Sequence, residues 1–225
     1  MNISKSADFF NPTEIEERIH IIGCGAVGST LAEMLVRMGC SNICLYDFDL
    51  VTPHNLANQM FLNKHIGLPK LKALHEILTD INPDVKLELF EKGWVENETE
   101  LDGYVFLAVD NIELRRKIAE TNMFNTNIIA MFDFRMGLDS GEHFAADWSS
   151  TKDKTNLING MAFTTEEAAE NTPRNACGTT LNIISTVRTL VSYGITNFIK
   201  MYKSNKNDFK HIILINVLTN SIIDF

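Results

Sequence analysis

Residues Gly23-Cys24-Gly25-Ala26-Val27-Gly28 spell G-x-G-x-x-G directly after the short β-branched run Arg18 to Ile22 and at the opening of a helical stretch. Gly23 permits a tight turn out of the strand, Gly25 lets main chain come up to a phosphate, and Gly28 permits close packing of helix on strand. The helix start adds unpaired N–H groups and positive potential, in which Ala26 and Val27 take part. An acid, Asp47, ends the next strand 19 residues after Gly28, at the place where this kind of fold holds a ribose hydroxyl. Together these features imply a nucleotide site, set against the plainer use of glycine for turning and packing alone. They do not select the nucleotide.

The rest of the chain supplies the sheet that such a loop needs. Leu31, Leu35 and Met38 recur at helical spacing in Ser29 to Met38, and Gly39 stops that helix. Asn42 to Tyr46 is a second apolar strand, Lys64 to Thr79 an amphipathic helix ending before Asn82-Pro83, and Val85 to Phe90 an alternating strand. Tyr104 to Val109 is apolar throughout and ends at Asp110-Asn111, where Asn111 can cap a helix over Ile112 to Asn122. Ile128 to Phe132 is another buried run. Apolar strands each followed by a helix predict an α/β fold, doubly wound and Rossmann-like, with a mostly parallel sheet and helices on both faces. The C-terminal half is more elaborate. Asp139 to Asn175 reads as a hairpin plus a long surface loop, Gly178 to Tyr202 as a long helix and Lys210 to Ile223 as strand-rich. The expected organisation is one domain over 1–225, with a nucleotide-binding core at 18–135 and a substrate-side portion at 136–225.

Composition narrows the setting. The 225 residues are 45% hydrophobic and 22% charged, with a formal net charge of −9, which suits an ordinary globular protein. The acidic balance argues against non-specific nucleic-acid binding. No apolar run approaches the roughly 18 residues of a membrane span, and residues Met1 to Arg18 have no apolar secretory core. Cys24, Cys40, Cys44 and Cys177 form no C-x-x-C pair and read as free thiols, so a reducing cytoplasmic setting is expected.

The segment after the second strand is more specific than the glycines. Asp47-Phe48-Asp49-Leu50-Val51-Thr52-Pro53-His54-Asn55-Leu56-Ala57-Asn58-Gln59, with Gly67-Leu68-Pro69-Lys70 after it, resembles the run D-x-D-x-V-x-x-x-N-L-x-R-Q and G-x-x-K of the ThiF/MoeB/HesA family, adenylating relatives of the ubiquitin-activating enzymes. The resemblance takes in the glycine loop and Asp110-Asn111 with Arg115 or Arg116 after it, and so covers roughly residues 18 to 135. Asp133-Phe134-Arg135-Met136-Gly137 and Cys177-Gly178-Thr179-Thr180 also resemble some stand-alone members of the family. It implies activation of a carboxylate by ATP, commonly the C-terminus of a small ubiquitin-like or sulfur-carrier protein, with release of pyrophosphate. It also implies a homodimer. On that reading Asp47 holds the ribose, with Asp49, Asn58, Gln59 and Arg115 also facing nucleotide. Asn55 and Lys70 reach the triphosphate, and Asp110 carries Mg²⁺, a hard ion that takes one or two carboxylates plus phosphates.

Two departures weaken the match. Asn58 stands where the family has Arg, and no arginine-containing segment precedes Glu14. Two charges that would steady pyrophosphate are thus absent, and loss of one such donor costs about 10²–10³ in rate. Arg135 or Arg174 is a candidate replacement; otherwise the chain is slow or a nucleotide-binding partner without chemistry. Plainer roles also stand beside the functional ones: a helix cap for Asp110, a solvated helix charge for Lys70, and a turn for Asn55 and Asp49. Cys177, near a helix start, is either a nucleophile that accepts the activated carrier or a small buried side chain. A nicotinamide-dependent oxidoreductase would account for the glycine loop and Asp47 but not for the spacing of Asn55, Gln59 and Lys70.

Overall fold

The computed structural model describes residues 1–170, 183–204, 206 and 208–225. Among these, the parallel half runs β1 (Ile19–Ile22), α1 (Ala26–Met38), β2 (Asn42–Tyr46), α2 (Lys70–Ile81), β3 (Lys86–Phe90), β4 (Gly103–Leu107), α3 (Ile112–Thr121) and β5 (Ile128–Met136). It continues with β6 (Ser140–Asp147), α4 (Thr151–Asn159), α5 (Thr165–Glu170), α6 (Ile184–Lys203), β7 (Ile212–Asn216) and β8 (Ser221–Asp224).

One eight-stranded sheet has the order β3-β2-β1-β4-β5-β6-β7-β8. The first five strands in that order are parallel, and β6, β7 and β8 extend it antiparallel, with hairpins joining β5 to β6 and β7 to β8 and the helices α4 to α6 lying between β6 and β7. The layers follow from alternation along each strand. Ile19, Ile21, Ile43, Leu45, Phe106 and Phe132 belong to a core under α1, α2 and α6. Ile22, Cys44, Tyr46, Val105, Leu107 and Met131 belong to a second core with Ile118 of α3 and Leu157 of α4. Both faces of these strands are buried, which is why they read as continuous apolar runs.

The chain leaves β1 toward β2 and β3 on one side, then returns to place β4 on the other side of β1. That reversal opens a crevice beyond the carboxyl ends of β1 and β4, where open α/β sheets place their ligands. Gly39 ends α1 in the left-handed region at φ +99°, its N–H turned back onto Leu35 and Val36 carbonyls. No helix among the described residues is long and apolar enough to cross a membrane.

The differences from the sequence reading have local causes. The first turn of α1 starts at Ala26 rather than Ser29, because Gly25 is its N-cap and the glycine loop runs straight into it. The helix expected over Lys64 to Thr79 begins only at Lys70. Pro69 occupies the N-cap, which pushes Leu68 out of helical conformation, and a separate short turn covers Asn63–His65. In the stretch expected as a hairpin plus a long loop over Asp139 to Asn175, β6 does return on β5 as a hairpin, but the described residues after it form α4, capped by Ser150, and then α5. Leu157 is the one buried residue of α4, so that helix has almost no apolar periodicity to reveal it. The start of the helix expected from Gly178 lies outside the described residues; α6 is described from Ile184.

Candidate nucleotide site

A cavity of about 700 Å³ occupies the crevice at the topological reversal. Four segments wall it. The turn after β1 contributes Gly23, Gly25, Ala26 and Val27, and the segment after β2 contributes Asp47, Asp49, Asn58, Gln59 and, across a turn, Lys70. The end of β4 brings Ala108 to Ile112 with Arg115 behind them, and the end of β5 brings Phe134, Arg135 and Met136, closed over by Phe163 and Thr165. A smaller hollow of about 400 Å³ beside β3 is more open to solvent and contains none of the motif residues.

The three glycines do different work. Gly23 has φ +94°, and a Cβ there would lie 2.8 Å from main-chain atoms of Ala108 and Val109. At Gly28 a Cβ would fall 1.8 Å from the Gly23 carbonyl oxygen, so Gly28 packs the helix and stands outside the cavity lining. Gly25 is the reverse case: a Cβ there meets nothing within 4 Å and would project into open space. Space kept clear at the N-cap of a 13-residue helix that has no side-chain cap is what an anion approaching main-chain N–H groups requires.

Asp47 is locked as an acceptor. Its Oδ2 receives the Cys24 N–H at 2.8 Å and its Oδ1 the Asp49 N–H at 2.8 Å, leaving the remaining lone pairs to face the cavity. Asp49, read mainly as a turn residue, lines the cavity and holds Lys70, with Nζ to Oδ2 at 2.7 Å; Asp47 lies 3.9 Å from the same Nζ. Lys70 is 7% exposed, so it is not a solvated surface charge. Its position at the first turn of α2 is set by the Pro69 N-cap and by an N–H bond to the Asp49 carbonyl. Gln59 also lines the cavity, and its buried carbonyl oxygen has no hydrogen-bond partner among the described residues.

Asn55 departs from expectation. Its side-chain oxygen accepts from the Thr52 N–H at 2.8 Å and the Thr52 hydroxyl at 3.1 Å, closing the turn after Pro53, and it does not line the cavity. The turn role is the one the structure displays. Asp110 departs the other way: Asn111 is the N-cap of α3, accepting from the Leu114 N–H at 2.7 Å, so Asp110 is spared that task. It is exposed at the cavity mouth and makes no hydrogen bond or ion pair with a described residue. A single free carboxylate suits Mg²⁺, which completes its shell with phosphate oxygens and water. Among the described residues no group of three or more His, Cys, Asp or Glu could hold a metal ion by itself.

Arg115 is buried and committed. Nη1 donates to Asp133 Oδ1 at 2.6 Å and to the Phe134 carbonyl, while Nε and Nη2 donate to the Val109 carbonyl. It therefore ties the end of β4 to β5 rather than reaching out to a phosphate. Arg116 lies off the site, beside the Met161 carbonyl at 3.4 Å. Asp133, fully buried, shares its other oxygen with Arg135 Nε at 2.7 Å. Sequence reasoning missed Asp133 as an organiser, along with Phe163 and Thr165. Thr165 is pinned by Glu113, which accepts its N–H at 2.8 Å and its hydroxyl, and this places the start of α5 over the cavity. Those bonds hold the Glu113 carboxyl below its ordinary range.

The cysteines divide. Cys24 is fully buried beneath the loop, and burial pushes its thiol well up, away from reactivity. Burial likewise pushes Cys40 and Cys44 up to about 12. Cys177 and Arg174 lie outside the described residues.

Comparison with known proteins identifies the family and the fold. The family model described as "ThiF family" matches residues 15–130. The ubiquitin-like modifier-activating enzyme 5 of Aedes aegypti is 34% identical over 120 residues, covering 46% of this chain and 30% of that protein. The enzyme of the same name from Arabidopsis thaliana is 43% identical over 75 residues, covering 33% of this chain and 17% of that one. The chain thus matches a third or less of the length of these relatives. Among solved structures, E. coli MccB with ATP superposes with a TM-score of 0.72 at 13% identity, covering 93% of this chain and 63% of that chain. E. coli tRNA N6-threonylcarbamoyladenosine dehydratase, TcdA, superposes with a TM-score of 0.67 at 17% identity, covering 90% and 94%. These structural likenesses show the fold.

Proposed function

The chain belongs to the ThiF family, and from that premise we propose that it is an ATP-dependent adenylyltransferase, which joins a carboxylate to AMP and releases pyrophosphate. The carboxylate is the C-terminus of a small ubiquitin-like or sulfur-carrier protein. Similar proteins bear names of ubiquitin-like modifier-activating enzymes, and the similar MccB has been crystallised with ATP and with MccA. On this reading residues 1–225 form one adenylation domain acting as a cytoplasmic homodimer.

The observation that carries the proposal is the pairing of Gly25 with Lys70. Gly25 keeps a helix N-terminus open to an anion, and Lys70 is a buried cation with no surface role. Asp47 and Gln59 hold the sugar end of the nucleotide as fixed acceptors. Lys70 exchanges Asp49 for phosphate oxygens as these gain charge, an electrostatic contribution that grows toward the transition state. Asp110 would hold Mg²⁺, which would supply neutralisation of phosphate charge. One oxygen of the carboxylate bonds to the α-phosphorus, the bond from that phosphorus to its bridging oxygen breaks, and pyrophosphate leaves with the electron pair.

Radiolabelled pyrophosphate exchange into ATP, measured with candidate carrier proteins, tests this. Carrier-dependent exchange supports it. Thermal stabilisation by ATP without exchange for any carrier points instead to a nucleotide-binding partner subunit, a reading favoured by Asn58 at the arginine position. Stabilisation by NAD and not by ATP rejects both.

A further inference from the structure

The cavity has two chemically different ends. Around Gly25, Asp47 and Lys70 it is polar main chain and charge. Where β5 ends it is walled by Phe134, Met136 and Phe163, with the guanidinium of Arg135 beside that of Arg115. The carbon of the Arg135 guanidinium lies 4.0 Å from the Phe144 ring centre and 5.5 Å from that of Phe163, so aromatic faces flank it.

The charge there is unbalanced. Asp133 is fully buried and gives one oxygen to Arg115 and the other to Arg135, so a single negative charge faces two positive ones. Glu142 approaches Arg135 Nη1 only to 3.9 Å and is half exposed. Arg115 spends all three of its nitrogens on protein acceptors. Arg135 spends Nε on Asp133 and Nη1 on the Gly160 carbonyl, both at 2.7 Å, while Nη2 is buried and has no hydrogen-bond partner among the described residues. A buried charged donor left unmet calls for an anionic acceptor.

We infer that Arg135 is the substrate-side cation of this site: it holds the acid to be activated, while the phosphates fall to Lys70 and the start of α1. This rests on the adenylyltransferase reading and adds the residue that receives the carboxylate. The order along the sheet supports it, because the glycine loop follows β1, Asp110 follows β4 and Arg135 ends β5, one strand further from the triphosphate end. Aromatic walls suit a carboxylate carried on an organic chain better than a bare polyphosphate. During the reaction one carboxylate oxygen bonds to the α-phosphorus and pyrophosphate departs with the electrons of the broken bond. The other oxygen becomes the acyl carbonyl and keeps its hydrogen bond to Arg135.

Two ligands separate the ends by isothermal titration: ATP·Mg²⁺, which has no acyl group, and 5′-O-(N-acetylsulfamoyl)adenosine, a stable mimic of an acyl-adenylate. Arg135→Gln is expected to keep ATP·Mg²⁺ affinity within about threefold and to weaken the mimic by on the order of tenfold or more, as loss of a charged hydrogen bond does. Arg135→Lys, which keeps charge without the planar fork, is expected to recover part of that loss. It carries the same comparison if Arg135→Gln does not fold. Equal weakening of both ligands, weakening of ATP alone, or no change in either would overturn the assignment. Wild-type protein that binds neither ligand would instead overturn the nucleotide site itself.

Discussion

On the proposed reading, the glycine end and the β5 end of the cavity solve the same problem, holding an anion away from water, with opposite materials. At the glycine end the acceptor-seeking groups are main-chain N–H groups at a helix start, brought close because Gly25 leaves its Cβ space empty. At the β5 end the work falls to one long side chain, Arg135, flanked by rings and held with Arg115 by one buried carboxylate. Main-chain sites are specified by a few adjacent residues. Side-chain sites are assembled from strands and helices far apart in sequence, and they depend on packing behind them.

The largest expected effect lies between the two ends. Asp110→Ala should reduce pyrophosphate exchange by at least about 10²–10³-fold, with little change in melting temperature, because Asp110 holds no described neighbour. Exchange that survives with ordinary Mg²⁺ dependence breaks the assignment of the ion to this carboxylate.

The next comparison sets stability against binding within the glycine loop. Gly28→Ala drives a methyl group to within 1.8 Å of the Gly23 carbonyl oxygen, and overpacking of this kind costs about 1–3 kcal/mol or more. Gly25→Ala meets no atom within 4 Å. It should leave urea unfolding unchanged and lower ATP affinity by roughly tenfold, through the space the phosphate needs. If Gly25→Ala unfolds the protein while ATP affinity is kept in the folded fraction, this end is structural and not a binding surface.

A smaller effect probes the packing behind the β5 end. His143 is fully buried on β6, its ring centre 4.5 Å from that of Phe134, and it accepts from the Asn197 amide. Burial pulls it down to about 4, against a partial opposing pull from Asp133. A histidine neutral in the fold and free to protonate when unfolded contributes stability that is full above about pH 6.5 and falls as pH drops toward 4. The loss across that window is up to about 3 kcal/mol. Urea unfolding at pH 7 and pH 4.5 should show this slope in the wild type and a shallower one in His143→Leu. Equal slopes would mean that His143 is hydrated and the β5 end is less tightly backed than its burial indicates.

The same contrast explains what could be read from the sequence. The glycine loop, Asp47 and the five parallel strands are local signals, and each element lies within a few residues of its expected place. Asn111 caps α3 as its position before Ile112 implies. Lys70 and Asp49 are 21 residues apart, yet the family motif contains both, so their meeting in one cavity was foreseeable. The β5 end was mostly opaque. Arg115 on α3 reaches Asp133 on β5 across 18 residues, a contact with no local signature. Phe163 and Thr165 lie in a stretch whose helix α4 buries only Leu157, so periodicity was too weak to show it. Asn55 was open in the sequence because a turn amide and a ligand amide look alike there; its oxygen accepts from the Thr52 N–H and hydroxyl.

The most direct test is a crystal structure with a non-hydrolysable ATP analogue and Mg²⁺. The triphosphate is expected against the Gly25 main chain and Lys70 Nζ, with the ion on Asp110 and the α-phosphorus turned toward β5. A nucleotide bound elsewhere, or a dinucleotide stretched across the crevice with Lys70 still on Asp49, would contradict adenylate formation at this site.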